Sequence, residues 1–372
     1  MKILVNISRA VVGILFIFSG LIKANDPLGL SYKMQEYFEV WRQYSFLHDM
    51  MIWLDNYALS FSIIIITLEI VVGVAILLGW YKRFFSLLLL LLIIFFTFLT
   101  GYAVFSGKIK TCGCFGDCIP LTAMQSFIKD LVLFVLILII FLGAHYIRPV
   151  FSGVASFIVV LISTLLVIGF QWHVLKHLPV ADCLPFKKGN NILELRKMPA
   201  NAVQDKVEFK FIYEKSGQQK DFKPASLPDS TWTFVKREDV IVEKGKNNEP
   251  PIKDFFVTTL SGADTTEAIL NRQEIYYILF VKDFEETDNW LNGFTSVYSF
   301  AKQKNIPFIV IASQATTGQH FFNETNNFNV PVFSCDATVL KTASRTNPSL
   351  YLMKGSVVQA KWGWADFDKA MK

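Results

Sequence analysis

The chain has 372 residues, 52% of them hydrophobic and only 18% charged, with a mean hydropathy of +0.39. Soluble domains carry about 25% charged residues, so this composition excludes a water-washed globule as the whole structure, and it equally excludes a disordered chain, a collagen-like fibre and a small disulfide scaffold. The net charge of +5 is modest, and no basic stripe is interleaved with aromatics, which argues against a nucleic-acid partner.

Crossing a hydrocarbon core of ~30 Å takes about 20 residues. Apolar runs of that length occur five times, near residues 3–22, 57–80, 84–105, 125–146 and 150–172. A backbone in hydrocarbon must satisfy its own hydrogen bonds, so the runs are predicted helices and the lipid bilayer is the first partner. The first run follows Lys2 and Arg9 as a signal peptide would, but it lacks a small-x-small cleavage pattern and is read as a retained helix.

Glu69 falls near the centre of the second run, where a carboxylate costs at least ~2.5 kcal/mol on insertion scales. It should therefore face the bundle and find a partner or a proton. Arg9, in a stripe with Gly13, Phe16, Gly20 and Lys23 at helical spacing, is the expected partner, and the small residues of that stripe would let the first helix approach a neighbour closely. Two roles fit such a pair: a proton relay or quinone-headgroup contact, or a structural pair holding the first two spans in register.

Five cysteines are present, and three of them, Cys112, Cys114 and Cys118, fall within seven residues in Cys112-Gly-Cys-Phe-Gly-Asp-Cys118. Packing alone has no use for such clustering in a polar turn. A redox or structural disulfide, inert free thiols, and a thiolate site completed by Asp117 are the readings open to it; no His lies in the loop, and no metal is assigned. The odd total leaves at least one thiol unpaired within the chain. A Cys112–Cys118 bond is expected, with Cys114 as the exchanging thiol, because Gly113 and Gly116 free the backbone to bring the outer pair to the ~5.5 Å Cα separation a disulfide needs. Cys183, in Asp182-Cys-Leu-Pro185, is either a resolving partner or a lone linker thiol, and Cys335 follows an apolar strand as a core cysteine. His173 and His177, one turn apart, read as interfacial polar residues.

Lys2, Arg9, Lys82, Arg83 and Arg148 fall on one side of the predicted spans. The opposite loops carry Lys33, Arg42, Lys108 and Lys110, but two positive charges in a turn of a few residues bias topology more than the same charges in a long loop. The N-terminus is thus expected in the cytoplasm and the C-terminal half outside.

From about residue 173 the chain reads as water-soluble. Val207-Glu-Phe-Lys-Phe-Ile-Tyr213 and Trp232-Thr-Phe-Val235 alternate as half-exposed strands do, and Glu243-Lys-Gly-Lys-Asn-Asn-Glu-Pro-Pro251 marks a boundary. Beyond it, Ile275–Val281 is a predicted buried strand, residues 288–302 a helix with Trp290, Phe294, Val297 and Ala301 on one face, and residues 306–312 a second buried strand. Residues 350–360 form a hairpin turning at Lys354-Gly355-Ser356. Alternating α and β with apolar strands implies helices covering a sheet.

This last unit, with Asn347-Pro348 ahead of the hairpin and Gly355 in its turn, resembles a thioredoxin fold in which Pro348 would be the cis-proline. Pro251-Ile-Lys-Asp-Phe255 and Leu260-Ser-Gly262 resemble the lead-in of its membrane-anchored thiol–disulfide branch. Where that family keeps Cys-x-x-Cys, this chain reads Phe284-Glu-Glu-Thr-Asp-Asn-Trp290, so no thiol attacks from there.

The membrane half, through Arg9-Ala-Val-Val-Gly13, Phe18-Ser-Gly20, Lys23, Asp26-Pro27, Glu69 with Gly73 and Gly79, and the cysteine loop, is similar to the DoxX and MauE families of four-helix membrane proteins. The overall plan also resembles bacterial relatives of vitamin K epoxide reductase, although their cysteine pair between the first two spans is missing. These resemblances imply a bacterial inner-membrane protein, disulfide maturation of extracytoplasmic proteins, a quinone as cofactor and a periplasmic client protein.

The expected organisation is a four-helix membrane domain over residues 1–149, a fifth transmembrane helix over 150–172, a strand-containing periplasmic linker over 173–250 and an α/β thioredoxin-like soluble domain over 251–372. The expected function is thiol/disulfide or quinone-linked electron transfer with Cys112, Cys114 and Cys118 as redox candidates and Glu69 and Arg9 as the buried charges. The competing expectation is a non-enzymatic membrane assembly or client-binding protein.

Overall fold

The computed structural model describes residues 1–372 apart from 110–112, 114, 115, 216, 244 and 246. Its first half contains helices α1 (Lys2–Ala24), α2 (Pro27–Arg42), α3 (His48–Asn56), α4 (Ala58–Leu78), α5 (Lys82–Ser106), α6 (Ala123–Leu142) and α7 (Gly153–His177). Among the described residues, α1, α4, α5, α6 and α7 are long and apolar enough to cross a membrane, and they coincide with the five predicted runs. The stretch between the first two spans, expected as a loop, is mostly helical. Asp26 starts α2 by accepting a hydrogen bond from the Gly29 amide at 2.9 Å, with Pro27 in the first helical position.

The helices α1 and α4 pack along the small-residue stripe. A Cβ added to Gly20 would lie 2.4 Å from Ile70 Cγ1, and one added to Gly73 would lie 3.0 Å from the Gly13 carbonyl oxygen. No larger side chain fits between these backbones without forcing the helices apart, which is the close approach the stripe predicts.

The C-terminal half opens with the short α8 (Ile192–Leu195) and an antiparallel sheet of order β2-β1-β3, from β1 (Lys206–Lys215), β2 (Gln218–Phe222) and β3 (Thr233–Glu243). There follow α9 (Thr266–Leu270), β4 (Ile275–Val281), α10 (Leu291–Gln303), β5 (Phe308–Ala312), α11 (Ala315–Gln319), β6 (Val332–Ser334), α12 (Ala337–Ala343), β7 (Ser349–Lys354) and β8 (Val357–Gly363). These strands make one mixed sheet in the order β6-β5-β4-β7-β8, parallel from β6 to β4 and antiparallel from β4 to β8.

Side chains alternate across a strand, and β4 uses both faces. Tyr276, Ile278 and Phe280 enter one core with Phe255, Ile309, Leu340 and Tyr351. Tyr277, Leu279 and Val281 enter the other with Trp290, Phe294, Val297 and Ala301, the helical face read from the sequence. The central strand is buried on both sides, so its run is continuously apolar. The Asn347–Pro348 peptide ahead of β7 is cis, and the Asn347 side chain accepts from the Lys282 amide at 2.8 Å and donates to the Asp283 carbonyl at 3.0 Å, tying the end of β4 to the start of the hairpin.

Candidate functional site

Inside the helix bundle, Lys23 of α1 and Glu69 of α4 form an ion pair at 2.5 Å, both almost fully buried. The Ser19 hydroxyl reaches the other Glu69 oxygen at 3.5 Å, and Lys23 Nζ lies 4.9 Å from the centre of the Phe96 ring. The carboxylate in low dielectric thereby gains an ammonium, and the ammonium a ring face. On α6, Asp130 is buried, accepts from Thr100 at 3.1 Å and lies 2.8 Å from Lys129 Nζ. The two pairs line one cavity of about 360 Å³ together with Ser19, Gln125 and several apolar side chains. An amphipathic molecule with a polar head and an apolar body fits such a lining.

Arg9 is not the partner of Glu69. Its guanidinium donates to the Arg148 carbonyl at 3.3 Å instead. The reason is register. Gly13 lies against Leu77 and Gly20 against Ile70, so a step up α1 is a step down α4, and the level of Glu69 is met near the end of α1. Arg9 sits three turns lower, roughly 18 Å away at 1.5 Å per residue. Helical spacing defines the stripe in the sequence; it does not define how two stripes slide past each other.

The cysteine loop is also corrected. Cys118 is joined to Cys183, with a Cα separation of 4.9 Å, so the expected Cys112–Cys118 bond does not form. Cys112 and Cys114 lie outside the described residues. The bond spans 65 positions and ties the loop before α6 to the segment after α7. Three neighbouring cysteines made a local ring the simplest expectation, whereas Asp117 and Cys118 find their partners in the C-terminal half. Asp117, considered as a metal ligand, pairs with Arg345 at 2.7 Å. Among the described residues no group of three or more His, Cys, Asp and Glu is arranged to hold a metal. Cys335 is buried, and burial, with the Asp336 carboxylate beside it, pushes its thiol up to about 12, so it is a poor nucleophile. His173 and His177 stack at 4.3 Å between ring centres, and His177 Nδ1 lies 2.9 Å from Asp366.

A cleft of about 570 Å³ lies between α2 and α12 and reaches Cys183. At its side Tyr32 of α2 is surrounded by Lys282, Lys341 and Arg345, whose charges lie 5.6, 5.1 and 5.4 Å from its ring centre. Arg345 is buried and bridges Asp26 and Asp117 at 2.7 Å each, and Lys341 donates to Gln35 at 2.9 Å. The end of β4 and the turn beyond it thus rest on the membrane half of the same chain. Nothing in the local sequence of residues 25–42 announces this contact; the isolated aromatic Tyr32 and the isolated Arg345 acquire meaning only when brought together.

Residues 1–143 match the family model described as methylamine utilisation protein MauE, a membrane protein, and residues 207–244 match one described as a domain of unknown function. No curated protein and no solved structure matches the chain. The first match covers α1 through α6 and so includes Lys23, Glu69, Asp130 and the cysteine loop. With the five apolar helices, it supports a multi-pass membrane protein.

Proposed function

We propose that this chain carries electrons between thiols on the outer face of the bacterial inner membrane and a membrane-soluble acceptor of the quinone class, in support of disulfide formation in extracytoplasmic proteins. The observation that carries the reading is the nearness in the chain of a disulfide and a charged intramembrane cavity: Cys118 is bonded to Cys183, and Leu121, three residues on, lines the cavity with Glu69, Lys23 and Asp130. In this reading Cys112 and Cys114 are further thiols of the same relay, the polar groups of the cavity hold the acceptor's head, and the N-terminus is cytoplasmic. A disulfide belongs to an oxidising compartment, which supports a periplasmic location for the loop and the C-terminal half, as does the Lys82–Arg83 turn at the opposite ends of the spans.

The C-terminal domain is read as thioredoxin-like, on the strand order, the crossing helices and the cis peptide before the hairpin. It lacks thiols in the turn after β4, so it would position rather than react. A second reading, a non-enzymatic assembly or client-binding protein, is favoured by one observation: the face bearing the cis peptide and Lys282 already rests on α2. Mass spectrometry of thiol-trapped protein from cells with and without quinone synthesis separates the two. Reduced cysteines accumulating without quinone support the relay; an unchanged thiol state in both supports assembly.

A further inference from the structure

The cleft between α2 and α12 contains Cys183 in its lining, together with three cations, Lys33, Lys341 and Arg345, and three carboxylates, Glu36, Glu39 and Asp117. Past Pro251, Thr338 and Thr342 it adjoins a second cavity of about 840 Å³ that extends along α12 to Asp336. The two share those three residues, and together they exceed the roughly 300–1,000 Å³ that houses a small molecule. A trough of this size, lined by apolar side chains as well as charges of both signs and open to solvent, matches an extended polypeptide of mixed side chains better than a single charged metabolite. Both cysteines of the disulfide are half-buried residues, and Cys183 is the one that lines the trough.

We propose that the trough holds a cysteine-bearing segment of a partner polypeptide, and that Cys183 is the sulfur its thiolate attacks. This deepens the relay reading above and rests on it for its cellular role. Exchange proceeds by attack on one sulfur with departure of the other. The partner's thiolate bonds to Cys183 Sγ, the Cys118–Cys183 bond breaks, and Cys118 leaves as a thiolate that takes up a proton. A second partner thiolate then attacks the partner sulfur of the mixed disulfide, closing the partner's own disulfide and releasing Cys183, which is protonated in turn. Two partner thiols are oxidised by two electrons, the Cys118–Cys183 pair is reduced by the same two, and both protons come from the partner.

The test uses the oxidised full chain in nanodiscs, with Cys112, Cys114 and Cys335 replaced by Ser so that the pair is isolated. The probes are a short fluorescent peptide with one cysteine and, separately, glutathione. The expected result is peptide label on Cys183 by mapping, one equivalent of Cys118 freed to alkylation, and reaction at least about tenfold faster than with glutathione at equal thiolate, equivalent to ~1.4 kcal/mol of contact in the trough. Thr342→Trp, which fills the seam between the two cavities, should remove that preference. Label on Cys118, equal rates for the two thiols, or a bond inert to both would overturn the proposal. The cellular assay keeps the two ideas apart. Loss of partner disulfides in Cys183→Ser cells with a purified bond inert to peptide retains the relay and removes the trough; a bond that exchanges with peptide but is dispensable in cells retains the trough and removes the relay.

Discussion

The Lys282 ammonium donates to the Tyr32 hydroxyl at 2.8 Å, across 250 positions of sequence. One residue directly follows the central strand of the C-terminal domain, and the other stands on the second helix of the membrane half. Around them lie Arg345, Lys341, Asp26 and Asp283. Burial first, and the charge of Arg345 second, lower the Lys282 ammonium from 10.5 to about 8, while burial raises the Tyr32 phenol to about 12. The contact therefore involves a neutral phenol throughout the physiological range and a lysine whose charge is penalised where it sits.

That penalty gives docking of the two halves a pH dependence whose sign follows from linkage. Below about 8 Lys282 is protonated whether docked or released, so its contribution is constant. Between about 8 and 10.5 the released form holds the proton and the docked form does not, so docking strengthens as pH rises through this window. Hydrogen-exchange protection of residues 27–42 should increase between about pH 8 and 10, below the point where release of the Tyr32 proton begins to oppose docking, in the wild type and stay flat there in Lys282→Met. An unchanged slope in the variant would assign the effect to another group.

Arg345 separates a strong contact from a weak one. Its partner Asp26 is 15% exposed and Asp117 is 45% exposed, so only the first is shielded from solvent. Removing one member of a buried pair costs on the order of 3–5 kcal/mol, whereas an exposed pair is worth about 0–1. Thermal unfolding should place Arg345→Met and Asp26→Asn well below wild type and Asp117→Asn near it. Asn still caps a helix, so Asp26→Asn isolates the charge, and Asp26→Ala should lose a further ~1 kcal/mol from the start of α2.

What the sequence made legible was set by local periodicity. The five spans follow from length and apolarity, β4 from an unbroken apolar run, and α10 from Trp290, Phe294, Val297 and Ala301 recurring on one face. The need of Glu69 for a partner was equally legible, because the cost of a charge in hydrocarbon is local. The identity of that partner was not: Lys23 replaced Arg9 because helix register is a property of two surfaces. Cys183 replaced Cys112 as the mate of Cys118 for the same reason, since chain distance carries little information about space once a loop finds its partners in the C-terminal half. Helix α2 was missed because its 16 residues are too short and too mixed with polar ones to read as a span, and Tyr37 and Phe38 are buried against residues from other elements.

Orientation is testable without purification. A reporter active only in the periplasm should be silent when fused after Lys82 and active when fused after Lys188, because an odd number of spans separates the Lys82–Arg83 turn from the C-terminal half. The reverse pattern would place the Cys118–Cys183 bond in the cytoplasm and remove the relay reading with it.

The pair of Lys23 and Glu69 should respond asymmetrically to loss of either member. Lys23 belongs to the last turn of α1, so with Glu69→Gln its flexible stem can carry the ammonium toward the interface, as lysines near helix ends do. Glu69 lies in the middle of α4 on a short side chain and cannot follow. Lys23→Met therefore strands a carboxylate in hydrocarbon, at the full cost of a broken buried pair, on the order of 3–5 kcal/mol, unless it takes up a proton. Folded yield and detergent unfolding should rank wild type above Glu69→Gln and Glu69→Gln above Lys23→Met, with the double variant recovering most of what Lys23→Met loses. Because a neutral Gln keeps the shape of the cavity, Glu69→Gln protein that folds well yet leaves cysteines reduced in cells would identify the carboxylate as part of the electron path. If it folds well and disulfides form normally, the pair holds α1 to α4 and does nothing more.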